Sequence, residues 1–438
     1  MDHGQAIAYL DSLHSHGIRP GLDRIRALLG RLGNPHDDFR SVLIAGTNGK
    51  GSVAAFLVAI LGETGHRTGL FTSPHLVRFE ERIALGRDPI AADDLAALTG
   101  ELHEAVEAGR REGADPPTYF EASTALAFLY FSRQGVPLAV LEVGMGGRFD
   151  STNVVSPIAC AVTRIAMDHT SWLGETLAAI AYQKAGIMRP RVPAVIARQQ
   201  PEALRVLRAE GERVGASLIE TAACRIDGAG PGGSFPDPPC FDLATPEGTR
   251  YGKLRLSLRG DHQVDNATIA TLLAERLAAD GALTIGAGDV ARGLARAVWP
   301  GRIEISGDRP ALLLDGAHNP EGCATLAAYL RDHQPGRRKV IVFGAMKDKP
   351  ADLMLQTLAP VAEQFVLTSI PVERAASTGD LQYAAACQRL RAVAEPDAGQ
   401  ALRRALAMAG EDGLAVVCGS LYLIGEIKKI LAGRPSQP

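Results

Sequence analysis

A single short segment constrains this chain more than any other. A mostly apolar run at Ser41–Ala45 leads directly into Gly46-Thr47-Asn48-Gly49-Lys50-Gly51-Ser52, and a helical pattern, Lys50–Glu63, follows at once. A buried strand that turns straight into a helix has to lie in a sheet, with the helix folded back across it. The glycines let backbone N–H groups approach an anion closely, and the new helix adds partial positive charge at its N-terminus. Lys50 then reaches the β- and γ-phosphate oxygens of a nucleotide as a point charge. The plainer alternative is a tight turn with a surface lysine, and the position between strand and helix counts against it. The spacing departs from G-x-x-x-x-G-K-[ST], because two residues separate Gly46 from Gly49 and Gly51 stands between Lys50 and Ser52.

The same alternation continues along the chain. Buried strands are expected at Leu138–Leu141, Ile158–Val162 and Val192–Ile196, and helices at Phe120–Phe131 and Gln263–Ala279. Strands separated by helices predict an α/β fold with a mainly parallel sheet covered on both faces. Residues 224–260 break the rhythm. Pro and Gly crowd 229–239, which predicts a loop and a small antiparallel excursion. After Trp299-Pro300-Gly301 the pattern restarts, with strands expected at Ala311–Asp315, Lys339–Phe343, Gln364–Thr368 and Leu414–Cys418. The chain therefore divides into a first domain, 1–299, and a smaller Rossmann-like α/β domain, 300–438.

Composition narrows the function. Hydrophobic residues make up 46% and charged residues 22% of 438, enough for a sizeable core under a charged surface. The net charge of -3, without a basic stripe, argues against nucleic acid. The N-terminus does not read as a signal peptide, and no apolar run reaches the roughly 18 residues of a membrane span. The six cysteines form no Cys-x-x-Cys pair, which argues against a zinc ribbon and for buried thiols in a reducing, cytoplasmic setting.

Glu142 carries a chemical signal of its own. It closes a buried strand, where parallel sheets place ligands, and a buried carboxylate there is costly unless it holds a cation or an arginine such as Arg148. Other candidates have plainer readings as single residues. Ser73 precedes Pro74 and reads as a turn residue, His169 as a capping or surface histidine, and Lys184 as a solvated helical lysine. Phe120 could equally be core, and Asp150 could cap a turn.

Taken together, the motifs identify a family. GTNGKGS resembles the loop of the Mur ligase superfamily, specifically that of the dihydrofolate synthase/folylpolyglutamate synthase family. The likeness covers nearly the whole chain: GLDRIRALLGRLGNPH, TSPHLVRFEERI (72–83), TYFEASTALAF (118–128), LEVGMGGRFDSTN (141–153), TRIAMDHTSWLG (163–174) and QKAGIMRP (183–190) in the first half. The second half adds GDHQVDNA (260–267), WPGRIE (299–304), LLLDGAHNP (312–320), GAMKDKP (344–350) and GSLYLIGEIK (419–428). Glu80 departs from the asparagine that a family member often has in RFEERI.

The resemblance implies a P-loop domain binding ATP and folate, and a C-terminal domain binding glutamate. It implies ATP contacts at Gly46–Ser52, Asn266, Arg302 and Asp315, with Arg302 on the γ-phosphate and Asp315 on the ribose. It implies two magnesium ions held by Ser73, Glu142, His169 and a carbamylated Lys184. Imidazole is an uncommon magnesium ligand, so His169 departs most from the usual donor chemistry. Thr118, Tyr119, Phe120 and Glu121, with Phe149, Asp150 and Ser151, would meet the pterin-bearing acid. His318, Ser420 and Tyr422 would lie near the incoming glutamate. The implied reaction is ligation of L-glutamate to dihydropteroate or to the γ-carboxylate of a folate through an acyl phosphate, and the TYFE and RFDS segments lean towards dihydropteroate. Lys50, Lys184 and His318 are the implied catalytic residues, the partners are small molecules, and a monomer is the default. The rival readings are a Mur-type ligase for another acid and a P-loop ATPase that makes no bond.

Overall fold

A computed structural model describes residues 1–228, 237–281, 283–307 and 310–433. These fall into two compact units. The first comprises Met1–Asp227, Phe241–Arg255 and Asp265–Ala297, and the second is built mainly from Val298 onwards, together with Leu256–Val264.

The first unit is organised by an eight-stranded sheet. In chain order its strands are β1 (Arg40–Ala45), β2 (Thr68–Phe71), β3 (Ile83–Leu85), β4 (Asp88–Pro89), β5 (Leu138–Glu142), β6 (Ala159–Val162), β7 (Pro193–Ile196) and β8 (Ser217–Glu220). They lie side by side as β4-β3-β2-β5-β1-β6-β7-β8. Strand β1 is central because every residue after Arg40 is buried, and it pairs in parallel with both β5 and β6. The parallel expectation holds from β2 to β8, while β3 and β4 add an antiparallel margin.

Several helices flank this sheet: α1 (His3–Ser12), α2 (Asp23–Arg31), α3 (Lys50–Glu63), α4 (Ala92–Arg111), α5 (Tyr119–Arg133), α6 (Thr170–Leu173), α7 (Leu177–Ala185) and α8 (Pro201–Val214). The sheet's alternation sorts them. Leu43, Ala45, Ala139 and Leu141 share one core with residues of α1, α2, α4, α5, α7 and α8. Helix α3, with Gly51–Leu61 all buried, packs on β1, β2 and β5 and is covered by α10 (Ala287–Arg296), which follows α9 (His262–Ala279). Helices α1 and α2 were not foreseen. Both are short, and α1 is announced only by a capping box between Asp2 and Gln5. The antiparallel excursion is a three-stranded sheet, β9 (Arg225–Asp227), β10 (Cys240–Ala244) and β11 (Arg250–Arg255), in the order β11-β10-β9. Most of the loop expected at 229–239 lies outside the described residues.

The second unit has its own sheet: β12 (Glu304–Ser306), β13 (Ala311–Leu314), β14 (Lys339–Phe343), β15 (Gln364–Leu367), β16 (Ala392–Ala394) and β17 (Leu414–Cys418), ordered β12-β13-β17-β14-β15-β16. All pairs are parallel except β12 with β13. The expected strands at 339–343 and 414–418 match the observed bounds residue for residue. Four of the six free cysteines are buried, while Cys240 and Cys387 are exposed. Among the described residues, no helix is long and apolar enough to cross a membrane.

Candidate active site

The glycine-rich loop runs from the end of β1 to the first turn of α3. Gly46 and Gly49 hold positive φ, +141° and +94°, which side-chain-bearing residues rarely adopt. The loop is braced by the segment after β6. The Thr47 and Asn48 N–H groups donate to the Arg164 carbonyl at 2.9 and 3.3 Å, and Thr47 Oγ1 accepts from the Ala166 N–H at 3.1 Å. Those two loop amides are thus committed to the bracing segment. The donors suited to an anion are those of the first turn of α3, which starts at Gly49 without a side-chain cap.

Lys50 is mostly shielded and donates to the Thr47 carbonyl at 3.1 Å, so the surface-lysine alternative fails. Its Nζ lies 4.0 Å from Glu142 Oε1, and Glu142 Oε2 accepts the Ser73 backbone N–H at 3.3 Å. The parallel register explains the meeting, since β1 and β5 run side by side with Ile44 opposite Glu142. The alternative pairing of Glu142 with Arg148 is not what forms. Arg148 Nη2 donates instead to Glu210 at 2.7 Å. Ser73 joins Pro74 through a cis peptide bond.

Lys184 also departs from the solvated reading. It is 3% exposed, and its Nζ donates to the Gly46 carbonyl at 2.8 Å. Burial, with the Lys50 charge adding to it, lowers its pKa to about 7, and the carboxylates of Asp168 and Asp150 only partly oppose this. His169 begins the short helix α6 with φ +50°, its Nε2 4.0 Å from Asp168 Oδ1, and its side chain makes no capping bond.

Magnesium requires oxygen donors, and of the expected ligands the Glu142 carboxylate supplies them; Ser73 meets that carboxylate through its backbone N–H and Lys50 through its ammonium. Lys184 as an amine donates a proton to Gly46 and does not fit until it carries an oxygen. Among the described residues, no cluster of three or more His, Cys, Asp and Glu forms a metal cage.

The residues expected at the acid substrate divide into two kinds. Thr118 and Glu121 form the capping box of α5: Thr118 N–H donates to Glu121 Oε2 at 2.7 Å, and Glu121 N–H to Thr118 Oγ1 at 3.2 Å. Arg24 adds an ion pair to Glu121 at 3.2 Å. Tyr119 is buried, stacked on His14 at 3.7 Å, with the Arg82 guanidinium 5.1 Å from its ring. Phe120 packs so closely on Gly144 that a Cβ there would sit 2.5 Å from its ring. Asp150 caps the turn after it, accepting from Thr152 N–H at 3.0 Å and also from Met145 N–H at 2.9 Å, and burial raises its pKa. Ser151 is buried, whereas Phe149 is 51% exposed.

Asn266, expected at ATP, lies against the loop: a Cβ on Gly49 would lie 2.4 Å from its Oδ1. Thr163 was missed. Its buried Oγ1 would be 1.8 Å from a Cβ on Gly46, so the loop rests directly on it. Gln199 was also missed, and it fastens the bracing segment through Thr163 O and Ile165 N–H. The TRIAMDHT run marked that segment, but nothing in the sequence pointed to Gln199.

The second unit gathers its candidates at the C-terminal ends of β13 and β17. Asp315 is buried and accepts from Ile303 and Ala317 N–H, each at 2.9 Å. Burial raises its pKa, and the Arg302 charge opposes that shift. Arg302 packs against Gly316 and donates to the Gly301 carbonyl at 3.0 Å. His318 Nδ1 lies 2.8 Å from the Gly316 carbonyl, an acceptor only, so Nδ1 carries a proton. Ser420 caps the helix Leu421–Leu431 through the Tyr422 N–H, and the Tyr422 hydroxyl accepts from Arg374 at 3.0 Å.

Two family models match the chain: the Mur ligase middle domain over residues 44–274 and the Mur ligase glutamate ligase domain over residues 301–421. The chain is 38% identical to the dihydrofolate synthase/folylpolyglutamate synthase of Bacillus subtilis, over 95% of its own length and 96% of the relative's. It is similar to the crystal structure of Mycobacterium tuberculosis folylpolyglutamate synthase complexed with ADP and AMPPCP, with 33% identity, a TM-score of 0.89 and all of both chains covered. It is also similar to Escherichia coli FolC in complex with DHPP and ADP, with 27% identity, a TM-score of 0.87, and 100% and 99% of the two chains covered.

Proposed function

The chain belongs to the dihydrofolate synthase/folylpolyglutamate synthase family of the Mur ligase superfamily, and on that premise we propose that it joins L-glutamate to a folate-type acid using ATP. The observation that supports this best is the meeting of Lys50, Glu142 and the Ser73 backbone beside a glycine-rich helix start.

The reaction proceeds in two steps. A carboxylate oxygen of dihydropteroate, or of a folate's γ-carboxylate, attacks the γ-phosphorus, and the bond to the ADP oxygen breaks. Lys50 and the α3 N-terminus stabilise the charge that spreads over the transferred phosphoryl oxygens. The amine of glutamate then attacks the acyl carbon, and the tetrahedral adduct expels phosphate to leave the amide. The ammonium must lose a proton before this attack. His318 is our candidate base, its ring held in place by the Nδ1–H bond to the Gly316 carbonyl. Arg302, Asp315 and Asn266 are assigned to the nucleotide, Ser420 to glutamate, and the 118–121 and 149–151 segments to the acid.

Glu142 and Ser73 would hold magnesium, with His169 as a further ligand; the ion would supply charge neutralisation at the phosphates. Lys184 would serve as an oxygen donor after carbamylation, and a pKa of about 7 favours this, because the neutral amine is the form that attacks carbon dioxide. The protein is proposed to work as a monomer in the cytoplasm, where its free thiols would stay reduced.

ADP formation with dihydropteroate, with tetrahydrofolate or with neither, each with and without glutamate, tests the reading. ADP should appear only when acid and amine are both present, matched one for one by amide. ADP release without an acceptor would instead favour a plain ATPase. Lys50→Ala should abolish the coupled release, and near-normal turnover would remove Lys50 from the phosphate site. Lys184→Ala should lose activity that added short carboxylates partly restore; no response to them would speak against carbamylation.

A further inference from the structure

Arg148 has no part in the chemistry above, yet both its side chain and its backbone are bonded outside its loop. Its guanidinium lies 4.1 Å from the centre of the Tyr182 ring and donates to the Tyr182 carbonyl at 3.3 Å. The same Nη2 donates to Glu210 Oε2 at 2.7 Å. Its backbone N–H donates to the Gln183 carbonyl at 2.8 Å, one residue before Lys184. A Cβ on Gly186 would come within 2.5 Å of the Arg148 Cα, so the two backbones touch there. Arg148 therefore ties the 144–153 loop to the last turn of α7 through its backbone and to α8 through its side chain.

We propose that the Arg148–Glu210 pair is a positioning device for ligation, holding Phe149, Asp150 and Ser151 in register with the helix that carries Lys184. This rests on the assignment of those three residues to the acid substrate. Three observations carry it. The loop contains Gly144, Gly146 and Gly147, and its other tie to this region lies beyond the 149–151 segment, at Asn153, which donates to the Gly186 carbonyl at 3.1 Å and accepts from Arg189 Nη2 at 2.7 Å. The anchor is shielded, with the Arg148 side chain 22% and that of Glu210 12% exposed, so solvent screens it less than a surface pair. Finally, α8 has its own hold on the core through Ala203 and Leu207, so loss of the pair loosens the Arg148 end of the loop and leaves the helix packed. Arg148 suits the task because its planar fork can stack on a ring and bond a carboxylate at once.

Steady-state kinetics of Glu210→Gln and Arg148→Lys, with thermal unfolding of each, test the proposal. The KM for the acid substrate should rise by about tenfold or more, while the KM values for ATP and glutamate stay near those of the parent, as expected when a substrate-positioning group shifts slightly. Arg213→Ala is the control. Arg213 also bonds Glu210, at 3.0 and 2.9 Å, but does not touch the loop, so its acid KM should not move. The double variant Arg148→Met/Glu210→Met should be no worse than Arg148→Met alone, because the two residues act as one unit. An unchanged acid KM in folded Glu210→Gln, an equal rise for all three substrates, or the unfolding of both single variants would overturn the positioning role. Absence of ligation by the parent would instead sink the proposed function itself.

Discussion

Gly46 and Gly49 shape the phosphate loop for different reasons, and substitution separates them. At Gly46 a Cβ would lie 1.8 Å from Thr163 Oγ1 and 3.0 Å from the Thr163 backbone nitrogen, which cannot step aside. At Gly49 the obstacle is the Asn266 side chain at 2.4 Å, which can rotate away. Gly46→Ala should therefore cost about 1–3 kcal/mol of stability along with activity, the scale of overpacking and backbone strain. Gly49→Ala should cost less stability and chiefly weaken ATP. Urea unfolding beside the coupled ADP assay reads both, and equal stability losses would contradict the distinction. Lys184 makes a pH prediction. Its folded pKa, about 7, lies below the ordinary lysine value of 10.5, so the unfolded chain binds more protons between those limits. Stability should then rise with pH through that window and be flat with respect to this group below it. Urea midpoints at several pH values, without nucleotide or bicarbonate, should show that slope, and Lys184→Met should flatten it. At this scale the Glu142 and Lys50 signals were legible in the sequence, because strand ends and loop glycines announce themselves locally. The burial of Lys184 was not, because nothing near it in the chain distinguishes it from a solvated helical lysine.

Helix α3 carries the phosphate loop, and its outer face is set by α10. Glu63, in the last turn of α3, bonds Arg292 and Arg296, each at 2.9 Å, but those arginines are 51% and 63% exposed. Such pairs contribute roughly 0.2–1 kcal/mol. The close contact is Gly293, where a Cβ would sit 2.4 Å from the Ile60 Cα. Gly293→Ala should thus destabilise by about 1–3 kcal/mol, more than Glu63→Ala, because backbone cannot make room. Denaturation midpoints of the two variants decide which effect holds the helices together, and a larger loss in Glu63→Ala would reverse the ranking. Periodicity placed the long central elements to within a residue or two, while short peripheral ones such as β3 and β4 left too few residues to show a pattern. Thr118 and Glu121, expected only at the acid substrate, form the capping box of α5, a local role that was not foreseen.

Binding to the folded chain alone must stabilise the whole molecule. ATP with magnesium at a hundred times its Kd should raise the unfolding free energy by about 2.7 kcal/mol, and Lys50→Ala should lose most of that gain. Calorimetric titration of the unfolding transition with nucleotide measures it, and an undiminished gain in the variant would place the nucleotide elsewhere. The division into two α/β units was readable from the restart of strand–helix alternation after Trp299, since each period of burial is a local property of the chain. That Leu256–Val264 belongs with the second unit was not readable, because membership depends on what a segment packs against. The sequence by itself determined the strand–loop–helix at Ser41–Glu63, the parallel α/β plan and the carboxylate at the end of β5, all of which follow from short-range patterns of burial and backbone freedom. Only the tertiary structure decided that Arg148 turns to Glu210 and leaves Glu142 to Lys50 and Ser73, and that Lys184 reaches Gly46, 138 positions away. Those choices belong to strand order and helix packing, which bring distant residues together at distances no local pattern encodes.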